Sequence, residues 1–192
     1  AYARVGSWQR AIDAAQRGVT LASVQDQGAT HVVACMQQAF IHAELREWET
    51  ALAILAPVRD AWHEAGMSPH AYMMRVVLGR CLVELGEEGL TEIRAALDWA
   101  ESVDYRVFTH TSYLMYAQAL HTAHAPTAYA VAQQAHQRAI TTGDRWAQGV
   151  ALRTQAEIDM RDPHKTDWQL AERHLLEAMR VLRQIRARPD LA

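Results

Sequence analysis

One four-position pattern recurs along this chain at intervals of about forty residues. A large side chain is followed by small or apolar residues three, seven and ten positions on. It reads Trp8/Ala11/Ala15/Gly18, Trp48/Ala51/Leu55/Val58, Leu90/Ile93/Leu97/Ala100, Tyr129/Ala132/His136/Ala139 and Trp168/Ala171/Leu175/Ala178. With the second member as ruler, Ala11, Ala51, Ile93, Ala132 and Ala171 stand 40, 42, 39 and 39 residues apart. A fixed period of this size is the mark of stacked helical pairs. Each such unit needs its neighbours to bury its apolar face. The expectation is therefore one continuous array with no enclosed catalytic pocket.

The punctuation follows the same period. Breaks fall near Gly28, Gly66, Gly86, Asp104, Pro126, Gly143, Pro163 and Pro189. Gly past a helix end and Pro at the next start is the expected asymmetry. Ser68-Pro69 and Ala125-Pro126 read as helix starts with Pro in the first turn, and Thr166-Asp167 caps the helix that Trp168 opens. The spacing predicts helices over 7–24, 29–44, 47–65, 69–85, 89–103, 106–123, 126–142, 145–160 and 167–187. No segment alternates with period two, so no strand is expected. Ala, Leu, Glu, Gln and Arg dominate, a helix-forming composition. The repeat boundaries divide the chain into a half unit (1–28), four full units (29–66, 67–104, 105–143, 144–188) and the opening of another (189–192). The chain begins without Met and part-way through a unit, so a segment of a larger protein is expected.

An aromatic, then Ala three on, with a small residue ten on in the second helix and a small residue mid-way through the first, resembles the tetratricopeptide repeat. The first-helix small residues are Ala39, Cys81, Ala117 and Ala156. The leading Tyr2…Gly6-Ser7-Trp8-Gln9-Arg10-Ala11 is similar to that family's central stretch. The period near 40 exceeds the family's 34, the closing Pro is missing, and Leu90 and His136 replace larger apolar residues. These features resemble the longer-helix repeats of MalT-type transcriptional activators and related signalling ATPases, as does the segment from Ala171 to Ala178. The resemblance implies an all-α, right-handed superhelix of antiparallel helix pairs, an α-solenoid of about nine helices. It also implies that the first helix of each pair lines a concave groove.

Composition narrows the function further. The formal net charge is −3, and the densest basic run is Arg180, Arg183, Arg186 and Arg188. That is a weak footprint for nucleic acid, and basic residues in a last helical turn also complement the helix dipole. No apolar run approaches the roughly 20 residues of a membrane span. Cys35 and Cys81 read as small buried residues in a reducing, cytoplasmic setting.

No catalytic or metal constellation stands out. His121-x-x-His124 has helical spacing without further ligands nearby, His31 and Cys35 lack a third ligand, and His63-Glu64 lacks a zinc protease's second His. Gly86-Glu87-Glu88-Gly89 is acidic, with no Lys-Ser/Thr after it. The carboxylate pairs Glu44/Glu47 and Glu87/Glu88 read as solvated turn charges. Trp8, Trp48, Tyr129 and Trp168 read as wedges between helices. Trp62, Trp99 and Trp146 lie off the ruler, at repeat junctions or on the surface.

Function is then expected on one face of alternate helices. Six and three residues before each small residue, and one and four after it, the side chains point inward. This gives Val33, Met36, Phe40 and Ala43, then Arg75, Leu78, Leu82 and Leu85. The later units give Thr111, Leu114, Gln118 and His121, then Val150, Arg153, Glu157 and Met160. Met36, Phe40, Arg75, Leu78, Gln118, His121, Arg153 and Glu157 are the candidate partner-binding residues. The expected role is a non-enzymatic regulatory module that needs no cofactor or metal. It binds a protein segment or another domain of the same chain, with sugar or peptide effector sensing as the alternative.

Overall fold

In the computed structural model, residues 7–24, 28–64, 68–161 and 167–187 are described, and α-helix is their only regular element. Among them are nine helices: α1 Trp8–Val24, α2 Gly28–Glu44, α3 Trp48–Glu64, α4 Pro69–Glu84, α5 Leu90–Ser102, α6 Thr109–Thr122, α7 Ala128–Thr142, α8 Arg145–Asp159 and α9 Trp168–Gln184. The all-α expectation holds. Residues 2–6, Arg188, Pro189 and the side chains of Trp62 and His63 lie outside the description. The chain divides into two compact units, one of α1 to α5 ending at Tyr105 and one of α6 to α9 starting at Arg106.

The helix ends follow local chemistry. Ser68 accepts from the Ala71 amide with Pro69 behind it, while Asp144 and Asp167 accept from the amides of Ala147 and Leu170. Six helices stop in one way. Arg46, Gly86, Asp104, His124, Gly143 and Arg186 all take positive φ. Each donates its amide to the carbonyl three residues back, and the next residue donates to the carbonyl five back, as in Arg46 to Ala43 and Glu47 to His42. This double bond satisfies carbonyls that a helix end otherwise leaves open.

Two starts differ from the sequence reading. Helix α6 begins at Thr109 rather than 106, because Phe108 takes a left-handed φ of 60° that breaks the helix before it. Helix α7 begins at Ala128, with Pro126 left in the preceding turn, because His124 and Ala125 complete the terminal bonds of α6.

Packing carries the repeat. In the first unit each helix packs on the next, and α2 also packs on α4; in the second, α6 also packs on α8. Within each unit the even-numbered helices thus adjoin one another, α2 with α4 and α6 with α8. All five ruler residues are buried, and the four small residues of the even helices, Ala39, Cys81, Ala117 and Ala156, are each 0% exposed. Around them Leu55, Ile93, Leu97, Leu114 and Leu182 are fully buried, each worth about 1.5–3 kcal/mol of transfer free energy.

The large first member of the pattern is less uniform. Trp8, Trp48, Leu90 and Tyr129 are half-buried, whereas Trp168, expected as a wedge between helices, is 57% exposed. Off the ruler, Trp146 is buried, and Trp99 joins Tyr72 and Tyr105 in a three-ring cluster with centroids 5.5–5.9 Å apart.

Candidate interaction surface of the even-numbered helices

In α2, α4 and α8 the residue just before the small one faces the helix that precedes it. Gln38 of α2 donates to Gln16 of α1 at 2.8 Å, Arg80 of α4 lies over the Trp48 ring of α3 at 5.6 Å, and Gln155 of α8 donates to the Ala132 carbonyl of α7 at 3.5 Å. Two turns before Gln155, Gln148 of α8 donates to the Ala139 carbonyl of α7 at 3.0 Å. Side-chain amides and a buried guanidinium thus hold α2, α4 and α8 to the helices before them. Burial pushes the Arg80 guanidinium below its usual range, against the attraction of Glu84 and Glu44.

The opposite flank faces the helix that follows. Arg75 of α4 pairs with Glu92 of α5 at 2.8 Å, and Asp159 of α8 lies 3.4 Å from His174 of α9. The Glu44/Glu47 reading changes here, because Glu47 takes His42 at 2.6 Å. Such cross-helix partners leave no sequence signal, since they join residues in different turns of different helices.

Between these flanks lies the sector the sequence singles out. Phe40, Leu82, Gln118 and Glu157, each one residue after a fully buried small residue, are half-exposed in all four even helices. In the first unit this sector holds Phe40 with the buried Met36 on α2, and Leu82 with the buried Leu78 on the adjoining α4. Arg75 shares α4 with them but is turned to Glu92. In the second unit, α6 contributes the half-exposed Gln118 and His121 beside α8 with Arg153 and Glu157, which pair at 3.5 Å. Thr111, Leu114 and Val150 are buried beneath. The first unit therefore presents apolar groups and the second polar ones.

Other sequence candidates resolve individually. Cys35 and Cys81 are buried thiols. Burial raises Cys35 and pushes Cys81 up to about 12, far from a reactive thiolate. His31 lies 3.6 Å from Cys35. His121 and His124 do not share a helix face, because α6 ends at Thr122 and His124 occupies the left-handed position beyond it. Among the described residues, no three His, Cys, Asp or Glu side chains are grouped to hold a metal ion. No helix of the described residues is long and apolar enough to cross a membrane. Compared with models of known protein families, with curated proteins and with solved structures, the chain finds no match.

Proposed function

We propose that this chain is a tetratricopeptide-like repeat scaffold whose even-numbered helices bind a protein segment, without chemistry of its own. One observation carries the reading. The same two positions, a fully buried small residue and a half-exposed residue after it, recur in α2, α4, α6 and α8. A repeated sector of this kind is what a scaffold offers an extended or helical partner. In the first unit the half-exposed Phe40 and Leu82, over the buried Met36 and Leu78, supply apolar anchorage to an amphipathic segment; in the second unit Gln118, His121, Arg153 and Glu157 supply polar contacts of their own.

The parent protein in this reading is a signalling or transcription-regulating protein, and binding shifts it between resting and active arrangements. Panning the chain against a displayed peptide library tests the surface. Peptides selected on the first unit's sector should lose at least about tenfold in affinity with Phe40→Glu, those selected on the second unit's sector with Arg153→Glu, and both should be unaffected by Gln137→Lys on α7. Selection that instead depends on Gln137 and ignores Phe40 overturns the assignment.

A second reading, small-effector sensing, draws on the four polar side chains that α6 and α8 hold side by side. Thermal shift against sugars and nucleotides separates the two. A ligand-induced rise in melting temperature that Gln118→Ala and Glu157→Ala both abolish favours the sensor.

A further inference from the structure

We infer that the outer face of α9 is a second interaction surface, built to take an acidic amphipathic helix. The argument starts from the repeat register. Leu176 follows Leu175, the third member of its pattern, and its counterparts in the earlier units are Ala56, Asp98 and Gln137. All four are exposed, including Ala56 of α3 and Gln137 of α7, each of which sits on a helix with another packed after it. In α3, α5 and α7 the position therefore points away from the stack, and in α1 the equivalent Gln16 is exposed as well, although it reaches across to Gln38 of α2. Continuing the stack beyond α9 would not cover it.

What stands there differs between units. Helix α7 presents the neutral amides Gln133, Gln134 and Gln137 on this side, with the exposed Ile140 at the place of Met179. Helix α9 presents Leu176 at 58% and Trp168 at 57% exposure, with Met179 half-exposed between them. At 3.6 residues per turn these three fall within a sector of roughly 80°. Their burial against a partner is worth far more than scattered exposed apolar residues would be.

The charge around this sector selects the partner. Arg173, Arg180 and Arg183 lie three before, four after and seven after Leu176, all exposed and all on its face by helical spacing. Glu172 is the opposing charge on the face, and Glu177 beside it is engaged by Arg180. With Arg180 held by Glu177, Arg173 and Arg183 flank Leu176 against the one carboxylate of Glu172, a net positive strip in a chain of net charge −3. A helix with an apolar stripe and carboxylates on both flanks complements it. The stripe covers Trp168 and Leu176, and the carboxylates accept paired hydrogen bonds from the arginines.

Fluorescence anisotropy with the whole 192-residue chain tests this. The probe is a labelled Leu/Glu amphipathic helical peptide, compared with its Leu/Lys counterpart, a labelled single-stranded oligonucleotide and phosphatidylserine vesicles. The acidic peptide should bind, with affinity falling as salt rises. Leu176→Lys and the pair Arg173→Glu/Arg183→Glu should each weaken it at least about tenfold, while Gln137→Lys and Phe40→Glu leave it unchanged. The last variant separates this surface from that of the even helices. Equal binding of the Leu/Lys peptide, indifference of the acidic peptide to the α9 changes, or binding of only the oligonucleotide or the vesicles overturns the assignment. All the substituted α9 residues are exposed, so an unchanged melting temperature accompanies the expected result.

Discussion

Gly79 of α4 and Gly89 at the start of α5 meet backbone to backbone. A Cβ on Gly79 would stand 2.5 Å from the Gly89 carbonyl oxygen, and one on Gly89 would fall closer still to that of Gly79. Because the obstacle is backbone, no rotamer change relieves it. Gly79→Ala should therefore cost the first unit about 1–3 kcal/mol, as overpacking does, despite the better helix propensity of Ala. Gly18 in α1 is the opposite case, since its nearest neighbour to an added Cβ is the Ala34 methyl at 3.9 Å. Gly18→Ala should stabilise by about 0.5–1 kcal/mol. Urea unfolding of the two variants checks both signs.

Four of the six left-handed helix ends lack glycine. Arg46, Asp104, His124 and Arg186 hold φ between 51° and 61°, a region that costs a residue with a Cβ roughly 1–2 kcal/mol. Glycine there relieves the strain and loses some of the gain to a freer unfolded chain. Arg46→Gly and His124→Gly should each raise stability by about 0.5–1 kcal/mol, and in combination they should add, being in separate units. A rise of roughly 2–4 °C in melting temperature per kcal/mol, measured by calorimetry, is the expected result. A fall would mean that the side chains contribute more than their backbone strain removes.

These helix ends also explain what the sequence discloses. Gly86, Asp104 and Gly143 announce their turns, and Ser68-Pro69 announces its start, because residue type and backbone geometry agree. Arg46, His124 and Phe108 announce nothing. They adopt the left-handed conformation because the helices on either side fix the chain path, which is why α6 starts three residues later than its pattern implies. The buried small residues Ala39, Cys81, Ala117 and Ala156 are legible from period alone. The ties of Gln38, Arg80 and Gln155 are not, since one position uses an amide in two helices and a guanidinium in a third. Trp168 misleads for a related reason: equivalence of position in a repeat does not bring equivalence of burial.

Cys81 offers a test by titration. Burial pushes its thiol up to about 12, from an ordinary value of 9.0. The folded state keeps a proton that the unfolded chain releases, so this group's contribution is fully present below pH 9 and declines as pH rises towards 12. The slope approaches about 1.4 kcal/mol per pH unit. In Cys81→Ala the melting temperature should fall less steeply between pH 9 and 11 than in the wild-type chain. At pH 8 a thiol reagent should label Cys81 only on unfolding. Rapid labelling of the folded chain would contradict the burial on which the argument rests.

His136 of α7 provides the acid counterpart. Burial lowers its pKa first, and His174 of α9 lowers it further, while Glu177 of α9 pulls the other way. His174 in turn lies against Asp159 and beside the Tyr129 ring, with centroids 6.4 Å apart. A histidine whose folded pKa lies below 6.5 stays neutral in the fold while the unfolded chain takes up a proton. Its contribution to stability is therefore present above pH 6.5 and lost as pH falls from there through its folded pKa. Asp159 acts oppositely at lower pH, because burial raises its carboxyl above the usual range. The second unit should accordingly lose stability on acidification from pH 7 to 5. His136→Gln should flatten that loss while leaving the behaviour of the first unit unchanged. Melting temperatures across this range, with the His136 imidazole titrated by NMR in the folded chain, decide the matter. A His136 that titrates at or above 6.5 removes this source of acid sensitivity.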